Sequence, residues 1–163
     1  CPQCASPLGV RHLGDAPRMA CEVPQCGFVQ WGNPVPVVAA LVEFEGKILL
    51  ARNAAWPAAF YALITGFLER NETPQQGAVR ELKEETNLDA VDCSLIGVYP
   101  FPQKNEIIMA YHVRAEGQVK LSEELVDYKL IPPERLRPWR MGTGLAMADW
   151  MQARNLPFEW LEF

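Results

Sequence analysis

The apolar positions of this chain fall into short blocks rather than long periodic stretches. Residues 35–44 form a nearly continuous apolar run and 47–51 a second, separated by Glu45-Gly46, the pattern of a β-hairpin. A third block, 62–64, runs into Thr65-Gly66, and further strands are predicted over 94–99, 106–114 and 128–131. Thr73-Pro74 announces a helix, since Thr is a good N-cap and Pro is tolerated at the first helical position. That helix is expected to run to Thr86, with Asn87 as its left-handed C-terminal residue. Residues 132–136 read as a short helical turn and 142–154 as a longer helix, where Ala146, Met147 and Trp150 recur at helical spacing. Residues 53–60, rich in Ala around Trp56-Pro57, read as irregular. Strands and helices interleaved in this order predict a compact α/β or α+β sandwich.

Composition narrows the class. The 163 residues are 49% hydrophobic, 21% charged and 10% aromatic, which excludes a disordered, collagen-like or coiled-coil chain and allows one to two domains. No apolar stretch approaches the ~20 residues of a membrane span, and no signal-peptide pattern opens the chain. A cytoplasmic location without a membrane partner is therefore expected, and the opening on Cys1 rather than Met leads us to expect preceding native residues. With 15 basic against 20 acidic residues the net charge is −5, which argues against a bulk electrostatic grip on nucleic acid. Phosphate-bearing substrates stay open, because bound cations invert the local sign of a site.

Four of the five cysteines lie in the first 26 residues, as Cys1-Pro2-Gln3-Cys4 and, sixteen residues later, Cys21-x4-Cys26-Gly27. In a reducing compartment such clustering suggests metal before disulfide. Two pairs saturate a tetrahedral Zn2+, leaving no open position, so the zinc is read as structural and as the source of folding free energy for a segment too short to pack a core. Turn-like Gly32-Asn33-Pro34 then divides a ribbon, 1–32, from the remainder, 33–163. Within the ribbon Arg11 and Arg18 balance Asp15 and Glu22, so it lacks the basic footprint of a nucleic-acid binder. His12 and His112 are too isolated for a proton relay, Cys93 reads as a small buried group, and Trp139 and Trp150 read as core.

The chemistry concentrates in Gly66-Phe67-Leu68-Glu69-Arg70-Asn71-Glu72 and in residues 80–88. At about 100° per residue, Glu81, Glu84 and Glu85 share one ~100° arc of the helix, beside the arc of Ala78, Val79, Leu82 and Thr86 that faces the core. Like charges at these spacings repel, and the C-terminal half of a helix prefers cations. Arg80, four residues before Glu84, offsets part of this. A hard divalent cation would relieve the rest, since Mg2+ favours carboxylate oxygens and bridges them to phosphates. Helix geometry alone leaves that reading and a merely solvated acidic helix equally open.

The string Gly66-x5-Glu72-x7-Arg80-Glu81-Leu82-x-Glu84-Glu85-x-Asn87-Leu88 resembles the Nudix box, G-x5-E-x7-R-E-U-x-E-E-x-G-U, at eight of nine specified positions over 23 residues. Asn87 replaces the last Gly and is the next-best residue for a left-handed helix end. With the four-cysteine ribbon, Asn33-Pro34 and Thr65-Gly66-Phe67-Leu68-Glu69, the chain is similar to zinc-ribbon Nudix pyrophosphatases, namely NADH pyrophosphatases and related FAD or ADP-ribose hydrolases. Tyr99-Pro100-Phe101-Pro102-Gln103 is similar to part of the S-Q-P-W-P-F-P motif of the NADH enzymes, with Ile96-Gly97-Val98 replacing its first three residues and Tyr99 its Trp.

This resemblance implies an α/β/α sandwich with a mixed sheet, preceded by a small zinc ribbon. It implies Mg2+ or Mn2+ held by Glu81, Glu84 and Glu85 with the carbonyl of Gly66, and a further acid, Glu124 or else Glu123, from a later loop. Arg80 would support the acids by ion pairing and act with Glu84 and Glu85 in catalysis, while Glu72 braces the loop or contacts the metal through water. The implied reaction is hydrolysis of the diphosphate linkage of a nucleoside-diphosphate-X, foremost a dinucleotide such as NADH, giving AMP and a mononucleotide. FAD, ADP-ribose or another ADP-sugar, and nucleoside triphosphates are alternatives, with a non-catalytic nucleotide- or RNA-binding module outside the class. The partners expected are a small nucleotide and, by analogy, a second copy of the chain, with no nucleic acid and no membrane. A nucleobase would stack on an aromatic side chain; Phe101, Tyr99 and Tyr111 are candidates, though each reads more readily as core.

Overall fold

The computed structural model describes residues 1–162, which form two compact units, one from Cys1 to Pro34 and one from Val35 onward. Val35 is the first residue to pair into the larger sheet, its N–H donating to the carbonyl of Asn105 at 2.8 Å. In the first unit β1 (Leu8–Leu13) and β2 (Ala16–Cys21) form an antiparallel hairpin, and β3 (Val29–Gln30) pairs with β2. Ala20 and Cys21 are its buried residues, too little apolar interior to hold three short strands.

The second unit is built around β4 (Val35–Phe44), buried without interruption from Val37 to Val42. A strand covered on both faces reads as a continuous apolar run rather than an alternation, which is why its bounds were legible exactly. Along one edge runs β8 (Glu106–Glu116), parallel and in register from Val35 opposite Glu106 to Phe44 opposite Ala115. The other edge is shared by β5 (Lys47–Asn53) and β6 (Ile64–Phe67), both antiparallel. β7 (Asp89–Phe101) pairs with β8 and β9 (Leu125–Ile131) with β5, completing a mixed six-stranded sheet in the order β7-β8-β4-β5-β9 with β6 beside β4.

Alternate residues of β4 serve opposite layers. Val38, Ala40 and Val42 pack with Ala78 and Leu82 of α1 (Pro74–Thr86), while Leu41 packs with Met147, Trp150 and Met151 of α2 (Thr143–Gln152). The result is the expected α/β/α sandwich. Among the described residues no helix is long and apolar enough to cross a membrane.

Three strands of the sheet start elsewhere than the sequence pattern places them. β7 begins at Asp89 rather than 94, because it is an edge strand whose Val91, Leu95 and Val98 stay exposed, leaving no clean alternation. β9 begins at Leu125 rather than 128. The block at 62–64 contributes only an isolated bridge, Ala62 to Ala51, and the strand proper starts at Ile64. Tyr99 of β7 is buried and donates to Asp149 Oδ2 at 2.6 Å, tying the sheet to α2.

Among the described residues His112 is the one buried side chain that can carry a positive charge. Its Nδ1 lies 3.4 Å from an Arg154 amino nitrogen and its Nε2 2.8 Å from Glu43 Oε2. Arginine can only donate, so Nδ1 accepts and Nε2–H donates to Glu43: the ring is neutral. Burial, outweighing Glu43, pushes its pKa below the ordinary 6.5, with Arg154 adding in the same direction and Asp92 opposing. A depressed basic pKa means that the folded state resists protonation, so the stability from this group is complete above about pH 6.5 and falls as the pH drops through the folded value. The melting-temperature advantage of the wild type over His112→Gln is therefore expected to shrink between pH 7.5 and pH 5, as followed by circular dichroism. A constant gap would show that the imidazole is not held neutral.

Candidate functional site

In the first unit two tight turns bring the cysteines together. Ala5 N–H bonds the carbonyl of Cys1 at 2.9 Å and Cys26 N–H that of Val23 at 3.0 Å. The residue after each pair, Ala5 (φ 58°) and Gly27 (φ 70°), is left-handed and turns the chain away from the sulfurs. The Sγ atoms of Cys1, Cys4, Cys21 and Cys26 all lie within 4.8 Å of one another, with Cys1 to Cys26 at 3.5 Å and Cys4 to Cys21 at 3.4 Å. A tetrahedron with metal–sulfur bonds near 2.3 Å sets its sulfurs about 3.8 Å apart, so this cluster has the dimensions of a four-thiolate site. Hydrogen bonds from Ser6, side chain first and backbone second, lower the Cys4 pKa to about 6, which favours the ligating thiolate.

The second site is organised by Arg80. Thr73 caps α1 through a reciprocal box with Gln76, Thr73 Oγ1 accepting from Gln76 N–H at 3.3 Å and Gln76 Oε1 from Thr73 N–H at 2.8 Å. Two turns into the helix, the Arg80 guanidinium forks onto Glu72, Nε to Oε2 at 3.1 Å and an amino group to Oε1 at 2.9 Å. The same side chain donates to Glu81 Oε1 at 2.8 Å, Glu84 Oε2 at 2.9 Å and the Phe67 carbonyl at 3.1 Å. Glu72 Oε1 also takes the Glu69 N–H at 2.7 Å. Arg80 and then that amide hold its carboxyl below the usual range. Loop 66–72 is thereby fastened to the helix at both ends. Gly66 completes the fit, since a methyl at its Cα would overlap the Glu81 carboxylate.

Glu85 is different. It is half-buried, and among the described residues its carboxylate has no hydrogen-bond or ion-pair partner. Burial first, then the charges of Glu81, Glu124 and Glu84, push its pKa up to about 8. Burial likewise raises Glu81, against the pull of Arg80. Glu124 reaches this neighbourhood because its loop hangs on the helix end: Ser122 N–H bonds the Glu85 carbonyl at 3.0 Å and Lys120 N–H the Thr86 carbonyl at 2.9 Å. Asn87 closes the helix in the left-handed conformation, φ 62°.

Four carboxylates thus gather around one arginine already engaged by three acids. The cysteines are the group whose ligand atoms converge among the described residues. Glu81 and Glu84 instead each turn one oxygen onto Arg80 and keep the other. An unpartnered acid among acids, all with hard oxygen donors, fits a divalent cation such as Mg2+ or Mn2+.

Beside Gly66, Thr65 enters the wall of a cavity of about 440 Å3, whose other walls include Trp56, Phe60, Phe101 and Trp139. Trp56 and Phe60 meet edge to face at 5.2 Å, and Phe60 lies 6.2 Å from Trp139. Glu106 and Lys104 also line it, the Lys104 ammonium standing 5.8 Å from the Phe101 ring. This is the size and character of a pocket for an aromatic ring system. Of the three candidate stacking residues the structure places Phe101 on this wall, while Tyr99 and Tyr111 lie in the core. Trp56 and Phe60 escaped the sequence reading, though an aromatic pair four residues apart around a proline in an otherwise featureless stretch was a usable signal. Cys93 is half-buried with its thiol pushed up to about 11 by burial and Asp92, which leaves it inert.

The NUDIX domain model matches residues 32–152 of the chain. Among curated proteins, the NAD-capped RNA hydrolase NudC of Vibrio atlanticus is 32% identical over 111 residues, 68% of this chain and 40% of that protein. The NAD-capped RNA hydrolase NudC of Vibrio vulnificus is 30% identical over 143 residues, 85% of this chain and 52% of that one. The chain spans about half the length of the curated relatives it matches. Among solved structures, a NUDIX hydrolase from Nitrosomonas europaea superposes with a TM-score of 0.75 at 28% identity, covering 98% of this chain and 96% of that one.

Arg80→Gln removes the shared cation while keeping a hydrogen-bonding side chain. It is expected to lower stability by about 2 kcal/mol, since charged hydrogen bonds in partly buried sites are lost and three acids remain. Urea unfolding in the presence of a chelator measures this, and a change of only a few tenths would mean that the loop is held by other contacts.

Proposed function

The chain belongs to the Nudix family, and from that premise we propose that it is a pyrophosphatase that hydrolyses the diphosphate linkage of a nucleoside-diphosphate-X substrate, foremost a dinucleotide such as NADH. The single observation that carries this reading is the partnerless Glu85 carboxylate, crowded by Glu81, Glu84 and Glu124. We assign Mg2+ or Mn2+ to Glu81, Glu84 and Glu85, with the Gly66 carbonyl and Glu124 completing the site, and a structural Zn2+ to Cys1, Cys4, Cys21 and Cys26. The ribbon would then comprise 1–32 and the catalytic domain 33–163. Five free cysteines, four of them converging as ligands, support a reducing, cytoplasmic setting.

A divalent cation held there supplies positive charge to the phosphoryl oxygens and acidifies a water. The protein does the rest. The aromatic walls grip the ring of one nucleotide, which aligns the diphosphate over the acidic edge of α1. Arg80 acts through the acids: it holds Glu72 by both oxygens and Glu81 and Glu84 by one each, which leaves the second oxygens of Glu81 and Glu84 free. Water then attacks one phosphorus, its proton passing to a carboxylate oxygen of Glu85 or Glu84, and the bond from that phosphorus to the bridging oxygen breaks. The bridging oxygen leaves with the second phosphate, so two monophosphates result, AMP and a mononucleotide for NADH. Phe101 is the stacking residue we retain from the sequence; Trp56, Phe60 and Trp139 join it.

A second reading is favoured by the names of the curated relatives: the same linkage carried at the 5′ end of an RNA. The chemistry at phosphorus is identical, and only what continues beyond the cavity differs.

Glu85→Gln and Glu84→Gln are each expected to reduce turnover of NADH at least a hundredfold, about 2.7 kcal/mol of barrier, with unchanged circular dichroism. Chromatography of a panel of NADH, FAD, ADP-ribose and a nucleoside triphosphate, with Mg2+ or Mn2+, ranks the substrates. Near-wild-type turnover by both variants would refute the assigned site. Cys4→Ser, or chelation, is expected to release one equivalent of zinc per chain and to lower the melting temperature; a metal-free preparation that melts unchanged would remove zinc from the account.

A further inference from the structure

Three cations, Arg135, Arg137 and Arg140, lie within six residues, and nowhere else in the chain are three basic residues so closely spaced. The segment 157–162 lies on them. Arg137 meets Glu159 at 3.9 Å and Arg140 meets Glu162 at 3.8 Å. The Arg140 guanidinium stands 4.7 Å over the Trp160 ring, Phe158 packs edge to face on Trp160 at 5.2 Å, and Leu161 N–H donates to the Pro138 carbonyl at 2.8 Å. A cleft of about 370 Å3 remains between the two strips, with Arg135, Arg137, Phe158 and Glu159 on its walls.

Two features of this contact point to its natural occupant. Aromatic rings and carboxylates are interspersed along 158–162, as Phe158, Glu159, Trp160 and, after Leu161, Glu162, in the manner of bases and phosphates along a single strand. The ion pairs sit at the outer limit of contact, with every partner more than half exposed, so they contribute little. Phosphates, with more charge and geometry matched to the guanidinium fork, replace such carboxylates readily. The strip also runs directly into the aromatic cavity, since Trp139 lies within it and Met141 follows it, and both line that cavity.

We propose that Arg135, Arg137 and Arg140 form a docking strip for single-stranded RNA, which segment 157–162 covers by mimicry until RNA displaces it. This rests on the reading of the site as one that cleaves a diphosphate at an RNA 5′ end. The acidic charge of the whole chain makes the strip local and its hold strongly salt-dependent.

The test uses the full chain, a fluorescein-labelled ten-nucleotide oligoadenylate RNA, and fluorescence anisotropy at two salt concentrations. The wild type is expected to bind more weakly at the higher salt. Arg137→Gln combined with Arg140→Gln is expected to weaken binding at least tenfold, and Glu159→Gln combined with Glu162→Gln to tighten it several-fold. Turnover of free NADH should stay unchanged in both variants, while cleavage of the same oligonucleotide bearing a 5′ NAD slows in the arginine variant alone. Equal RNA affinity in all three proteins would overturn the strip, as would equally tight binding of a labelled polyglutamate of matching charge. Loss of hydrolysis on every substrate with the RNA-binding pattern intact would instead sink the catalytic reading and leave the strip standing.

Discussion

A single guanidinium at the start of the second half of α1 gathers three carboxylates and a loop carbonyl, and the arrangement of the acidic edge depends on it. Arg80 is only 23% exposed, forks onto Glu72 and bridges Glu81 and Glu84. Without a cation at that point, four negative side chains on two segments would repel one another, and the loop from Gly66 would lose its anchor. The glycine matters for the same reason, because only a residue without a side chain lets the backbone lie against the Glu81 carboxylate.

What Arg80 leaves unsatisfied is as informative as what it satisfies. Glu85 faces a partly dry environment with no counter-charge, a costly arrangement for a structural residue. The cavity walled by Trp56, Phe60, Phe101 and Trp139 is a complement in kind: apolar and aromatic where the helix edge is acidic. One short strand, β6, touches both regions, since Thr65 lines the cavity and Gly66 lies against the Glu81 carboxylate.

Much of this was legible in the sequence because it is local. β4 showed itself as an uninterrupted apolar run, and α1 through Thr73-Pro74 and Asn87, whose cap geometry follows from residue type alone. The box spacing brought out Glu72, Arg80, Glu81, Glu84 and Glu85, and their pairing follows helix geometry. The rest is long-range. β7 was read short because an edge strand carries apolar residues on its open side. Trp56 and Phe60 join Phe101 and Trp139 only once residues far apart in the chain are folded together, an encounter that the spacing of the pair does not by itself reveal. Net charge is an average, and −5 overall coexists with a local stretch of three arginines between 135 and 140.

The docking of loop 117–124 onto the last carbonyls of α1 couples two distant pieces of chain. Glu85 and Glu124 are separated by 38 residues of intervening sheet, yet Ser122 hangs from the very residue whose carboxylate Glu124 opposes. Fraying of that final helical turn carries both acids along, so the loop cannot drift while the helix stays wound. The amide protons of Lys120 and Ser122 thus become a natural gauge of the site: whatever steadies the acidic edge slows their exchange with solvent in concert, reporting occupancy from backbone atoms that no ligand ever reaches.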